Sequence, residues 1–222
     1  SDKTGTLTQN RISVKDCSDL YGNSSSTVEL YACLNAKNLR SATNQIDWAL
    51  QEYADEELET DVVESYQSVG DVPFDFDRRR ATVIVSQGEG IDLMITKGAI
   101  PELLAISSAY LDQNRDIQPM DDKRKNEILG MIEWYSVKGM RVLGVCYKPM
   151  PSGKTEFTDE DETDLIFVGY VVFTDPVKPS AKDAIRDMAE YGIDVKVLTG
   201  DNEYVTRHVC DQIGIDVQEV LP

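Results

Sequence analysis

The stretch Asp2-Lys3-Thr4-Gly5-Thr6-Leu7-Thr8 gathers a carboxylate, an ammonium and small hydroxyl side chains around a glycine. That set suits an aspartate that accepts a phosphoryl group. The carboxylate is the nucleophile, a cation offsets charge, and a hydroxyl bonds the transferred group, while glycine lets the backbone come close. In these terms Asp2 is the candidate nucleophile, Lys3 the cation and Thr4 the hydroxyl. A second polar cluster, Thr199-Gly200-Asp201, follows an apolar run and opens a helical pattern that Asn202 can cap. A helix N-terminus placed there favours anions. Between the two lies Lys97-Gly98-Ala99, where a lysine at a strand end stands beside glycine, so that a base or phosphate can approach the backbone.

Composition limits what these residues serve. The 222 residues allow one large domain or two smaller ones, and 41% hydrophobic with 28% charged residues is ordinary for a globular chain. A net charge of −18 argues against nucleic acid as a partner, because phosphate backbones reward Lys and Arg. Salt screens that field over about 8–10 Å, so local cations decide whether a nucleotide binds. Cys17, Cys33, Cys146 and Cys210 are scattered without a Cys-x-x-Cys pair and read as core fillers in a reducing compartment. His208 is the sole histidine, which leaves no material for a multi-histidine metal site. No apolar run reaches the roughly 18–20 residues that cross a bilayer, and no signal peptide is recognisable. With no initiator Met and a motif one residue from its start, the chain is expected to be a soluble piece of a longer protein.

The hydrophobic pattern supplies the elements that would hold these residues. Residues 17–25 read as a polar linker, and Ser26-Thr27-Val28-Glu29 has the spacing of a capping box ahead of a helix. A second helix is expected from Asn44, with Asp47 three residues on. The acidic run 52–64 reads as a solvated face. Residues 81–85 and 91–96 form a hairpin about the turn 87–90, preceded by the alternating segment 72–77. Pro101 opens a helix, and another runs from about 122 to 138 and stops at Gly139. A strand is expected over 140–147, a loop over 149–164 and a buried strand over 165–173. After Asp175-Pro176 the order becomes helix 179–191, Gly192, strand 193–198 and a helix to Ile213. That alternation is how a parallel, doubly wound sheet reads, with ligands at the strand ends. The fold class is therefore α/β (α+β), with an antiparallel module flanked by helices and inserted into a Rossmann-like domain. Ser152-Gly153-Lys154-Thr155 echoes a P-loop, but Lys148 stands where the first glycine belongs, and Pro149 and Pro151 spoil an anion nest.

Asp-Lys-Thr-Gly-Thr is also the signature of the P-type ATPases, the ion pumps that pass through an aspartyl-phosphate, and the chain resembles that family from Asp2 to Ile213. Thr199-Gly200-Asp201 is similar to the family's later Thr-Gly-Asp. Asp175-Pro176-Val177-Lys178 resembles its Asp-Pro-Pro hinge, with Val177 departing from the second proline. Lys97-Gly98-Ala99 matches its nucleotide-pocket lysine motif, and Phe74 matches the aromatic that stacks on adenine. Arg79 stands where many relatives carry lysine, and Arg141 matches the arginine that reaches the ATP phosphates. Asp47 falls where relatives usually have glutamate near the adenine amino group; a helix-capping role fits this shorter side chain equally well. The segments 74–80 and 192–201 look most like the bacterial magnesium-transporting branch.

The resemblance implies a nucleotide-binding domain over 11–174, inserted into an incomplete, haloacid-dehalogenase-like phosphorylation domain over 1–10 and 175–222. ATP and Mg²⁺ are the implied cofactors, with Asp2, Lys3, Thr4, Thr199, Gly200 and Asp201 catalytic and Mg²⁺ held at Asp2 and Thr4. Asp47, Phe74, Arg79, Lys97, Gly98, Arg141 and Asp175 are the implied nucleotide set. The parent is expected in the inner membrane, with this piece on the cytoplasmic side, inactive alone, and working with actuator and membrane domains to move magnesium. A pump for another cation such as calcium, a soluble aspartate-nucleophile phosphatase or mutase, and a non-catalytic nucleotide-binding module are the alternatives.

Overall fold

An apolar run as long as 165–173 is satisfied by a strand paired on both edges and covered on both faces, and the chain folds around it in that way. The computed structural model describes residues 3–9, 11–40, 44–88, 90–199, 203–215 and 217; for 3, 4 and 203–205 it describes the backbone alone. After a π-helical turn, Lys3–Leu7, come β1 (Ser13–Ser18), α1 (Ser26–Asn38), α2 (Gln45–Glu57), α3 (Thr60–Glu64), β2 (Gln67–Asp75), β3 (Arg80–Ser86) and β4 (Ile91–Gly98). Then follow α4 (Ile100–Ile106), β5 (Ser107–Leu111), β6 (Ile117–Pro119), α5 (Asp122–Val137), β7 (Arg141–Pro151), β8 (Leu165–Thr174), α6 (Pro179–Glu190) and α7 (Glu203–Ile213). The strands form one eight-stranded sheet in the order β2-β3-β4-β7-β8-β5-β6, with β1 also on β8. Every pairing is antiparallel except β5 on β8.

β8 has β7 along one edge, while β5 (on Leu165 to Phe167) and β1 (on Tyr170 to Thr174) divide the remainder of its pairing. The handover falls at Gly169, whose φ is 154° and where a Cβ would stand 2.1 Å from the Ser18 carbonyl oxygen. Val171 and Phe173 pack into one core with Val28, Leu34 and Leu50 of α1 and α2. Phe167, Tyr170 and Val172 pack into a second with Leu103 of α4 and Ile128 of α5. A third, smaller core joins Leu7 to Ala181, Ile185 and Ile213, with Val195 and Val197 against it. The four cysteines are free and buried, and burial pushes the Cys33 and Cys146 thiols up to about 12, so they fill space as expected.

Local signals set the helix ends. Asn44 and Asp47 form a reciprocal capping box at α2. α5, α6 and α7 each end on a left-handed glycine (Gly139, Gly192 and Gly214, φ 72°, 71° and 84°). Behind each, an amide reaches back five residues, from Met140 to Tyr135, Ile193 to Met188 and Ile215 to Cys210. Four expectations need correction. The cap of α1 is Ser25, which accepts from the Val28 amide; Glu29 is taken by the Tyr53 hydroxyl at 2.8 Å and closes no box. Residues 17 and 18 are no linker, for both are buried at the end of β1. β7 runs on to Pro151, because Ile91 to Leu93 give it partners there. Of the strand expected over 193–198, residues 193–197 take no strand pairing among the described residues, and Leu198 alone holds a bridge position.

Gly169→Ala should be among the most damaging single-methyl changes in the chain. The new Cβ meets a backbone oxygen held by the sheet, and the φ is one that L side chains avoid, so a loss of about 3 kcal/mol or more is expected. Urea unfolding followed by far-ultraviolet dichroism measures it, and a loss under about 1 kcal/mol would mean that the junction at β8 yields.

Candidate functional site

The ends of β2, β3 and β4 bring distant residues into one row. Across β3 and β4, Ala81 faces Lys97 and Arg80 faces Gly98. In β2, Val72 stands opposite Thr82 and Asp75 opposite Arg80, so a bulge leaves Pro73 and Phe74 together opposite Ala81. The register therefore sets Phe74, Ala81 and Lys97 at one level across three strands. The Phe74 ring is 45% exposed and meets the 87% exposed Phe76 edge-on, with centroids 5.3 Å apart. Among the described residues no core cluster takes in these two rings, and an exposed aromatic pair is a surface fit for a flat ligand.

Lys97 is 5% exposed, and its ammonium donates to Asp47 Oδ1 from α2. Asp47 Oδ2 accepts from the Asn44 amide at 3.2 Å, so one carboxylate both caps the helix and holds the lysine. Burial pushes the Lys97 pKa down, and Asp47 pulls it part of the way back. Beneath Lys97 on the same face, buried Asn35 donates to the Ala81 and Ile95 carbonyls at 3.0 and 2.8 Å. Gly98 is fixed by crowding: a Cβ there would lie 2.7 Å from the Arg79 carbonyl oxygen and 2.9 Å from Arg80 Cα. The motif thus lets two backbones touch at the strand ends.

Arg79 sits at the tip of the β2–β3 turn with φ 50°, a left-handed conformation costly for an arginine. Its amide donates to the Asp75 carbonyl at 2.7 Å and its carbonyl accepts from the Ala99 amide at 3.0 Å. The Asp75 carboxylate accepts from the Arg78 and Asp77 amides at 2.9 Å each, which holds it below the usual carboxylate range and closes the turn. The Arg79 head is two-thirds exposed and reaches Glu102 at 3.4 Å. Its neighbours differ. Arg78 Nη1 and Arg80 Nε both donate to Glu162 Oε2 at 2.6 Å, and Thr82 Oγ1 donates to Oε1 at 2.6 Å.

A second group forms where the chain's early and late segments meet. Thr8 bridges Val177, and its hydroxyl donates to Asp175 Oδ2 at 2.7 Å. The Lys178 amide donates to the Leu7 carbonyl at 2.9 Å, and its ammonium reaches the Gly5 carbonyl. Arg141, at the start of β7, lines one small cleft with Asp175, Gly139 and Thr174. The structure therefore joins Asp175 and Arg141 to the segment after Lys3 and Thr4, whereas Phe74, Arg79, Lys97, Gly98 and Asp47 make a group of their own. Thr199 is half-buried. Asp2, Gly200 and Asp201 lie outside the described residues, as do the side chains of Lys3 and Thr4. Sequence reasoning missed Glu162 and Asn35. Glu162 stands within a run of acidic and hydroxyl residues that looks like solvated loop, and only the fold shows it to be 1% exposed.

Residues 23–180 match the family described as P-type ATPase, cytoplasmic domain N. The whole chain is similar to a magnesium-transporting ATPase, P-type 1, of Escherichia coli, at 36% identity over 221 residues, and covers 24% of that protein. The corresponding protein of Salmonella typhimurium is 34% identical with the same coverage. A calcium-transporting ATPase of Listeria monocytogenes is 26% identical over 97% of this chain and 26% of its own length. The chain thus spans about a quarter of the length of the curated relatives it matches.

The Lys97–Asp47 pair carries a stability expectation. Lys97→Met leaves Asp47 buried without its cation and should cost about 3 kcal/mol, while Asp47→Asn with Lys97→Met should recover part of it. Urea midpoints of the single and double variants report this; equal losses for both would refute the pairing as the cause.

Proposed function

This chain belongs to the family of P-type ATPase cytoplasmic N domains, and on that premise we propose that it binds ATP against Phe74 as part of a cation pump. The observation that carries the reading is the row Phe74–Ala81–Lys97, where an aromatic face left open stands in line with a buried, paired ammonium. Adenine stacks on the Phe74 ring, Lys97 and Gly98 border the base, and the exposed Arg79 head meets phosphate oxygens. Stacking is worth roughly 1–3 kcal/mol per base and does not need a charged chain, which suits a protein whose net charge of −18 repels nucleotide at a distance.

The binding module spans 11–174 and interrupts a phosphorylation domain of the haloacid-dehalogenase type, to which 1–10 and 175–222 contribute. In the assembled pump the Asp2 carboxylate attacks the γ-phosphorus, the bond to the β-phosphate oxygen breaks, and ADP leaves with that electron pair. Lys3 offsets charge, Thr4 and Thr199 hold the transferred group, and Gly200 and Asp201 shape the approach. Arg141 meets the phosphates, and Asp175, which shares its cleft and accepts from Thr8, is the hinge residue beside the nucleotide. Asp2 and Thr4 are the residues that would hold Mg²⁺, which would supply charge neutralisation on the transferred phosphate. Hydrolysis of the aspartyl-phosphate and passage of the ion belong to actuator and membrane domains, the latter in a bacterial inner membrane with this domain on the cytoplasmic face. Among the described residues no helix is long and apolar enough to cross a membrane. Magnesium is the proposed cargo, supported by relatives named for magnesium transport at 34–36% identity; calcium is the alternative because a more distant relative is named for it.

Two measurements test this. Phe74→Ala should weaken ATP, ADP and AMP binding by similar factors, about five- to a hundredfold, with the fold intact. Amide shifts at 74–80 and 95–99 on titration locate the site, and nucleotide that leaves those amides unmoved refutes it. The intact pump's ATPase activity in membranes should respond to Mg²⁺, and activation by Ca²⁺ alone would overturn the magnesium assignment.

A further inference from the structure

We propose that Glu162 is a positioning residue for the nucleotide's phosphates: it clamps Arg78 and Arg80 so that Arg79, held between them, is presented to the ligand. This rests on the ATP site proposed above and adds the residue that fixes its cation. Glu162 is 1% exposed and comes from a segment some eighty residues beyond the turn it holds. That segment is itself pinned. Thr158 and Asp161 form a capping box, Lys148 donates to the Asp161 and Thr163 carbonyls at 3.3 and 2.9 Å, and Phe157 packs on Gly70 of β2. The carboxylate then takes both flanking guanidiniums on one oxygen and the Thr82 hydroxyl on the other, and Thr82 meets Thr96 at 2.8 Å. One acidic group thereby joins β3, β4 and the β2–β3 turn.

Three adjacent arginines would otherwise repel one another and swing freely. Glu162 offsets one of the two outer charges and draws both side chains inward, where they are 18% and 13% exposed, against 66% for Arg79. The left-handed backbone of Arg79 persists only if its surroundings fix both sides, and the clamp does so. The Arg79 head rests on Glu102 at 3.4 Å, longer than a charge-assisted bond of about 2.7–2.9 Å, so a phosphate can replace that contact. A pocket without the clamp keeps Phe74 and Lys97 but loses the fixed cation. The base should then bind almost as before, and the phosphates should not.

The test compares ATP with adenosine on the whole chain by calorimetry or NMR titration. Glu162→Gln should weaken ATP about tenfold while adenosine changes less than about twofold. Arg79→Ala should show the same selectivity, and the double variant should lose little more than either single one. A damaged fold alone would lower both ligands together. Equal losses for ATP and adenosine, no loss for ATP, or full additivity with Arg79→Ala would each overturn the proposal. If Glu162→Gln does not fold, Thr82→Val, which removes one bond to the carboxylate, should still give an ATP-selective loss of about two- to threefold, and a non-selective or absent effect rejects the clamp. A wild-type chain that takes up no adenosine at 74–80 and 95–99 instead fails the site itself, which keeps the two failures apart.

Discussion

Nine successive buried residues in β8 impose the constraint from which the rest follows. Such a strand has no solvated face and no free edge, so each peptide group needs a protein partner and each side chain needs a cover. β7 meets the first demand on one side, and β5 and β1 divide what remains. α1 and α2 cover one face, and α4 and α5 the other. The order β2-β3-β4 is then the outgrowth of that centre through β7, and it carries the proposed ligand row at its tip. The proposed site lies toward the edge of the sheet because the middle is filled.

Electrostatics are arranged at two scales. The chain is strongly acidic overall, yet Asp75 beside the row is held by turn amides and three other acids near it meet cations. Asp47 takes Lys97 and Glu162 takes Arg78 and Arg80, while Glu102 lies against Arg79 at a longer distance. Long-range repulsion of an anionic ligand is screened by salt within a few Debye lengths, whereas a fixed cation at contact distance is not. The remote charge therefore has little say in binding once the ligand has arrived.

Much of this architecture is legible in the sequence. The hairpin of β3 and β4, the helices starting at Asn44 and Pro101, the glycine stops and the buried run of β8 all follow from periodicity and turn chemistry, which act over a few residues. What was not legible depends on partners far along the chain. β1 looks polar because only Cys17 and Ser18 at its end are fully buried, and they gain their place from β8. The run 193–197 has the alternation of a strand, yet among the described residues it pairs with none. At the candidate site, Phe74, Lys97 and Gly98 could be marked from their motifs, and the level that Phe74 and Lys97 share is a matter of register that a bulge decides. Asp47 was read as cap or ligand neighbour, and it caps the helix while holding Lys97. Glu162 carries no local mark at all, since its role is set by strands some eighty residues away.

The bridge between Thr8 and Val177 has a consequence of another kind. It closes a ring: everything from Gln9 to Pro176 leaves and returns through one pair of adjacent backbones, joined further by the Gln9 amide on the Pro176 carbonyl at 2.9 Å. The entropy lost on closing a ring grows only with the logarithm of its length, so a doubling costs about 0.6 kcal/mol. A gate of this form is almost indifferent to the size of what it encloses. By that measure the enclosed lobe could be longer or shorter with little change in the cost of bringing the two segments at its neck together.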